Sequence, residues 1–184
     1  MNSVTYGATA RKVPHVGVAY LLSQVGAHAA DAFEERLFAL KLKPHHAGLL
    51  RMLGANPGLS QQELCDLFGV FPSRLVVLLD QLEARGLIER RDNPSDRRGH
   101  RLQLTKAGRA TLKTIGRLTV ELENDLCASL SDVEKATLLG LLARIVSQQK
   151  ITPAVHPAYR RLREGRGGPG VESRPPSRKR KRGT

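Results

Sequence analysis

Residues 60–86 read SQQELCDLFGVFPSRLVVLLDQLEARG, and the fold turns on how this stretch is punctuated. Ser60 and Glu63 have the spacing of a capping box, in which hydroxyl and carboxylate each satisfy the other's backbone N–H. They open a short helix that runs to about Phe68. Gly69 breaks it, as the residue freest to adopt positive φ. Pro72 sets the first turn of a second helix, reaching Arg85, and Gly86 ends that one. Leu75, Leu78, Leu79 and Leu82 lie on one face of it. Two helices joined by a short glycine-containing turn are a helix-turn-helix.

Outward from this unit the pattern changes period. LIERR (87–91) and HRLQLT (100–105) read as two strands around the turn DNPSDRRG (92–99). Leu102 and Leu104 alternate with Arg101 and Gln103, so one side of the ribbon is buried. A helix-turn-helix followed by a hairpin is a winged helix. Thr105 can cap a long helix to about Leu126, and Ser131 with Glu134 forms a second capping box for a last helix to about Gln149. Towards the N-terminus, Pro44 opens a helix to Ala55. Before it, Val18, Leu21, Leu22, Val25, Ala29, Phe33, Leu37 and Leu40 recur three or four apart. That spacing predicts a helix of about 25 residues, close to 40 Å long, which suggests packing beyond its own fold. The expected fold is therefore mainly α with a small β-hairpin wing.

The chain has 184 residues and a net charge of +13. The charge is uneven: residues 150–184 hold eleven Lys or Arg against two acids, a surplus of nine, which leaves +4 for the rest. The basic character thus belongs to a tail, and it ends in SRPPSRKRKRGT, which cannot bury enough apolar surface to fold. The organisation expected is a loose arm over 1–14, a folded domain over 15–149 and a disordered basic tail over 150–184. Cys65 and Cys127 are far apart with no CxxC, so they read as small hydrophobes rather than a disulfide or zinc framework. No apolar run approaches the roughly 18 residues of a membrane span. There is no basic and apolar leader, so the expected setting is the cytoplasm. His45 and His46 are adjacent and diverge by about 100° on a helix, a poor geometry for two ligands of one metal. No metal site or cofactor is expected, and no nucleophile or acid–base constellation appears, so an enzyme is not expected.

The residues that carry chemistry lie on the second helix and the hairpin. With the leucines inward, Ser73, Val77 and Asp80 face outward, with Arg74 and Val76 on the flanks. The N-terminal part of a recognition helix meets base edges in the major groove. Arg74 can make two bonds to guanine, and Val77 can touch a thymine methyl. An ordinary solvated helix face accounts for this helix alone equally well. The hairpin is more telling: five arginines stand between positions 90 and 101 against two aspartates. Arg98 can enter a minor groove, where narrow walls concentrate negative potential. Arg90, Arg91, Arg97 and Arg101 can meet flanking phosphates, and Asp96 can keep an arginine aimed. His28 is expected to line a cleft or an interface.

The run from Leu59 to Leu112, above all Asp96-Arg97-Arg98 followed by a strand and Leu104-Thr105, resembles the MarR (multiple antibiotic resistance regulator) family of winged helix-turn-helix proteins. The resemblance implies a bacterial homodimer held by helices at about 16–40, 106–126 and 132–149, with the DNA-binding lobe at about 44–105. It implies binding of double-stranded DNA at a pseudo-palindromic operator, with half-sites about one helical turn apart. It further implies that Asp80 pairs with Arg98 to orient the wing, and that a small aromatic effector bound between the dimer helices and the DNA lobe releases DNA. This chain departs from the family at Phe71, which stands where a capping Ser or Asp is common, and at Val76 and Val77, where polar groove-facing residues are common. The function expected is a transcriptional repressor associated with the nucleoid. An architectural protein that coats DNA with little sequence preference is the alternative, supported by the basic tail. A third reading is an interaction module that kept the fold and meets a protein through Val76 and Val77.

Overall fold

The computed structural model describes residues 16–93 and 96–151, with the backbone alone for 93 and 96–99. The expected arm and almost all of the basic tail lie outside the described residues. The elements run α1 (Val18–Phe38), α2 (Pro44–Ala55), β1 (Leu59–Ser60), α3 (Gln61–Phe68), α4 (Pro72–Ala84), β2 (Ile88–Asn93), β3 (Asp96–Leu104), α5 (Lys106–Leu126) and α6 (Asp132–Gln148). This is the mainly helical, winged architecture that the sequence predicts.

The punctuation works as its chemistry dictates. The backbone N–H of Ser60 donates to Glu63 at 2.7 Å, and the Glu63 N–H returns a bond to the Ser60 hydroxyl at 3.2 Å. These donors hold the Glu63 carboxyl below its ordinary range, the backbone N–H contributing most. The box at Ser131 and Glu134 repeats the arrangement. Gly69 ends α3 at φ 62°, in the left-handed region. Phe71 precedes α4 without a side-chain cap, as its chemistry requires.

The sheet corrects the sequence reading in two places. The ribbon is longer than expected, so most of the segment read as an eight-residue turn belongs to strands β2 and β3. The register runs from Ile88 opposite Leu104 to Asp92 opposite His100, then jumps so that Asn93 faces Asp96. Positions 97–99 are the extra residues on β3, and a bulge of this kind re-aims a strand. There is also a third strand. β1 adds to the far edge of β3, with Leu59 opposite Leu102, in the order β1-β3-β2.

The core lies under the helix-turn-helix. Leu49, Leu50 and Leu53 of α2, Leu64 of α3, Leu75, Leu79 and Leu82 of α4, and Ile88 and Leu102 of the sheet are buried together. α1 enters this core only at its end, where Leu37 is its single buried residue, and α6 has none. The folded lobe thus carries two long helices whose apolar side chains it does not cover.

Candidate nucleic-acid interface

The recognition helix α4 is held by its inner leucines and by two polar anchors at its far end. Arg85 donates to the carbonyls of Leu40 and Lys41, each at 2.7 Å, and so ties the end of α4 to the end of α1. His46, buried at the start of α2, accepts from the Lys43 N–H through Nδ1 at 3.2 Å and meets Gln81 Oε1 through Nε2 at 2.9 Å. A ring nitrogen that accepts carries no proton, so His46 sits neutral with its proton on Nε2. Burial holds its pKa below the ordinary histidine value; the Gln81 bond opposes this, and the nearby Arg85 and Lys43 charges add to it. Neither His46 nor Arg85 was singled out for this role in the sequence. Apart from Lys43, three positions before His46, their partners lie 35 to 45 positions away along the chain, beyond any local pattern.

The expected groove-facing residues stand where helix periodicity puts them. Ser73, Val77 and Asp80 are exposed, while Arg74 and Val76 are half-buried on the flanks. Among the described residues Arg74 has no carboxylate partner. The wing arginines divide. Arg91 pairs with Glu89 at 2.6 Å on the open surface, an exchangeable contact. Arg90, read from the sequence as a phosphate contact, here bonds Asp80 at 2.5 Å and also Glu83 through its guanidinium. Asp80 is therefore engaged by Arg90; the pairing with Arg98 that the family resemblance implied falls on a side chain outside the described residues. Arg101 also departs from a free phosphate contact, since its Nη1 donates to the Gly58 carbonyl at 2.8 Å and pins β3 to the turn before β1. The side chains of Asp96, Arg97 and Arg98 lie outside the described residues. Glu83 is a wing-tethering residue that the sequence reading missed; its spacing of three from Asp80 on a helix was the available signal.

Behind the wing, Thr105 locks β3 to α5. Its hydroxyl donates to the Gly86 carbonyl at 2.6 Å and accepts from the Gly108 N–H at 3.0 Å. Helix α4, the ribbon and α5 thus meet at one junction. Towards the far end of α5 a groove between α1 and α5 is lined by Gln24, His28, Ala32, Leu122 and Leu126, with Arg36 bonded to Asp125 across it. His28 lies in this groove, as the sequence suggested. Cys65 is buried, and burial pushes its thiol pKa up, as for a structural residue; Cys127 is only half-buried. Among the described residues no helix is long and apolar enough to cross a membrane.

A helix-turn-helix with a tethered hairpin beside its second helix defines a winged-helix DNA-binding regulator. A sequence model of the MarR family matches residues 40–99. A protein of Thauera aromatica assigned to transcriptional regulation of the hcr operon is 41% identical over 107 residues, covering 58% of this chain and 64% of that relative's length. The transcriptional repressor CouR, solved on a 23-mer DNA duplex, is 35% identical with a TM-score of 0.63, over 70% of this chain and 92% of that one. A mutant of Escherichia coli MarR in complex with operator DNA is 27% identical with a TM-score of 0.60, over 70% and 93%. The chain belongs to the MarR family, and it spans about two-thirds, 64%, of the length of the curated relative it matches.

Proposed function

We propose that the chain acts as a homodimeric, site-specific repressor that a small-molecule effector releases from DNA. The observation that carries the dimer is the bare apolar face of the terminal helices. Leu138, Leu141 and Ile145 of α6 and Leu21, Leu22 and Val25 of α1 are exposed. A second copy would cover them, and each half-exposed apolar side chain so buried contributes about 1 kcal/mol, a fraction of the value for full burial. Two lobes joined this way would set two recognition helices for successive major grooves of a pseudo-palindrome.

In this reading Ser73, Arg74 and Val77 meet base edges, and Arg97 and Arg98 serve the minor groove and its phosphates, with Asp96 aiming one of them. Arg91 exchanges Glu89 for a phosphate. Arg90 takes a positioning role with Asp80 and Glu83, and Arg101 braces β3 for the same purpose. The groove between α1 and α5 has apolar walls and convergent polar groups, the usual make-up of a small-molecule site. That favours an effector there, with an aromatic compound as its class, and no part of the reading calls for catalysis, a metal or a cofactor.

The test is selection of bound sequences from a random DNA pool at physiological salt, with the full chain and with residues 1–150. Enrichment of one pseudo-palindrome by both supports a site-specific regulator. The basic tail keeps the architectural reading in view, with sequence-independent affinity supplied by counterion release. Uniform binding by the full chain without enrichment by either form would establish that reading instead.

A further inference from the structure

We infer that Phe71 and Val77 form a methyl-reading edge at the DNA-facing start of α4, so that site choice depends on thymine C5-methyl groups in the major groove. The inference rests on the DNA-binding reading above. Phe71 stands immediately before α4 in extended backbone, φ −67° and ψ 140°. Phe68 and Val70 are buried in the core, yet the Phe71 ring is 60% exposed. Val77 is 54% exposed beside the buried Leu78 and Leu79. Two apolar side chains thus face solvent in the segment that a recognition helix brings to base edges.

Their surroundings favour DNA over a protein partner. Arg74 flanks them, and Arg91 stands on the adjacent ribbon. On the same face Asp80 is held by Arg90. Phenyl and isopropyl groups neither donate nor accept hydrogen bonds. The feature of a major-groove edge that rewards apolar contact is the thymine methyl. A phosphate would offer them nothing, so the contact that suits them is a base edge on the floor of the major groove.

The experiment uses the full chain and the site obtained by selection. The duplex is remade with deoxyuridine replacing each thymine in turn, which deletes one methyl and leaves base pairing intact. Binding is read by fluorescence anisotropy for the wild type, Phe71→Ala and Val77→Ala, with circular dichroism as the folding control. The wild type should lose about fourfold in affinity per contacted methyl at one or two positions in each half-site. Phe71→Ala or Val77→Ala should abolish that loss at its own position. Because the methyl is removed from the DNA, the wild-type measurement stands even if a variant folds poorly. Uniform indifference of the wild type to deoxyuridine overturns the inference, as do losses that persist unchanged in both folded variants. Absence of any selected site overturns the regulator reading and this inference with it.

Discussion

Among the described glycines, Gly108 has the least room for a side chain. A Cβ added there would lie 1.9 Å from the Leu87 carbonyl oxygen, and that carbonyl already accepts from the Thr105 N–H at 3.1 Å. The obstacle is backbone, so α5 would have to lift from the ribbon. Gly108→Ala should therefore cost about 1–3 kcal/mol, the range for overpacked sites, read as a lower urea midpoint at unchanged slope. A variant as stable as the wild type would show that α5 tilts away freely. His46 makes a second residue-scale prediction. Its pKa is lowered in the fold, so below the ordinary histidine value of about 6.5 the unfolded chain binds more protons than the native one. Its titration therefore costs the native state nothing above that pH. The native state loses stability progressively as pH falls from there towards the lowered folded value. Protonation would also end its acceptance from Lys43 N–H, with Lys43 and Arg85 adding repulsion. Chemical denaturation at pH 7.5 and 5.5 should show a loss for the wild type that is smaller for His46→Gln. Equal losses in the two proteins would remove His46 from the account.

At the scale of elements, the wing is bound to α4 by a charge cluster in which one arginine meets two carboxylates. Such a tether sets where the ribbon tip falls without itself touching phosphate. Salt dependence separates the two roles. A phosphate contact contributes about one unit to the slope of log K against log salt, and a positioning residue contributes none. Arg90→Ala should weaken operator binding roughly tenfold with the slope preserved, whereas Arg98→Ala should weaken it and lower the slope by about one. A slope that falls with Arg90→Ala would return Arg90 to the phosphate backbone. These elements also show what a sequence can reveal. The limits of α3, α4 and α5 were legible because Ser60, Gly69, Pro72 and Thr105 act on their own neighbours. The buried face of β3 was legible from the alternation of Leu102 and Leu104. β1 was not, because two residues become a strand only through bonds to Leu102 and its neighbours, some 40 positions on. The Arg90 tether was hidden for the same reason: Asp80, Glu83 and Arg90 meet only once the chain reverses at Gly86. The outward set Ser73, Val77 and Asp80 needed only the 3.6-residue period, so that much of the candidate interface was readable in advance.

The whole molecule divides into a lobe with its own core and a pair of long helices that lack one. α5 joins them, carrying Ile115 in the core and Leu122 buried near its far end. α6 follows with no buried side chain, although its capping box and its run of leucines mark it as a helix meant to pack. Leu141 and Ile145 sit at the centre of its apolar face and are 49% and 37% exposed. Replacing them with glutamate therefore leaves the core of one lobe intact. Any large effect must come from a surface that the second copy would cover, where an unpaired carboxylate is costly to bury. The combined change Leu141→Glu and Ile145→Glu should yield a folded monomer by sedimentation, with the winged lobe unaltered. Each lobe would then meet a half-site alone. Without the effective concentration that linkage provides, affinity for the full operator should fall by about a hundredfold or more. Binding to a single half-site should change little, because the contacts of α4 and the wing are untouched. A variant that stays dimeric and keeps its operator affinity would move the dimer interface away from α6.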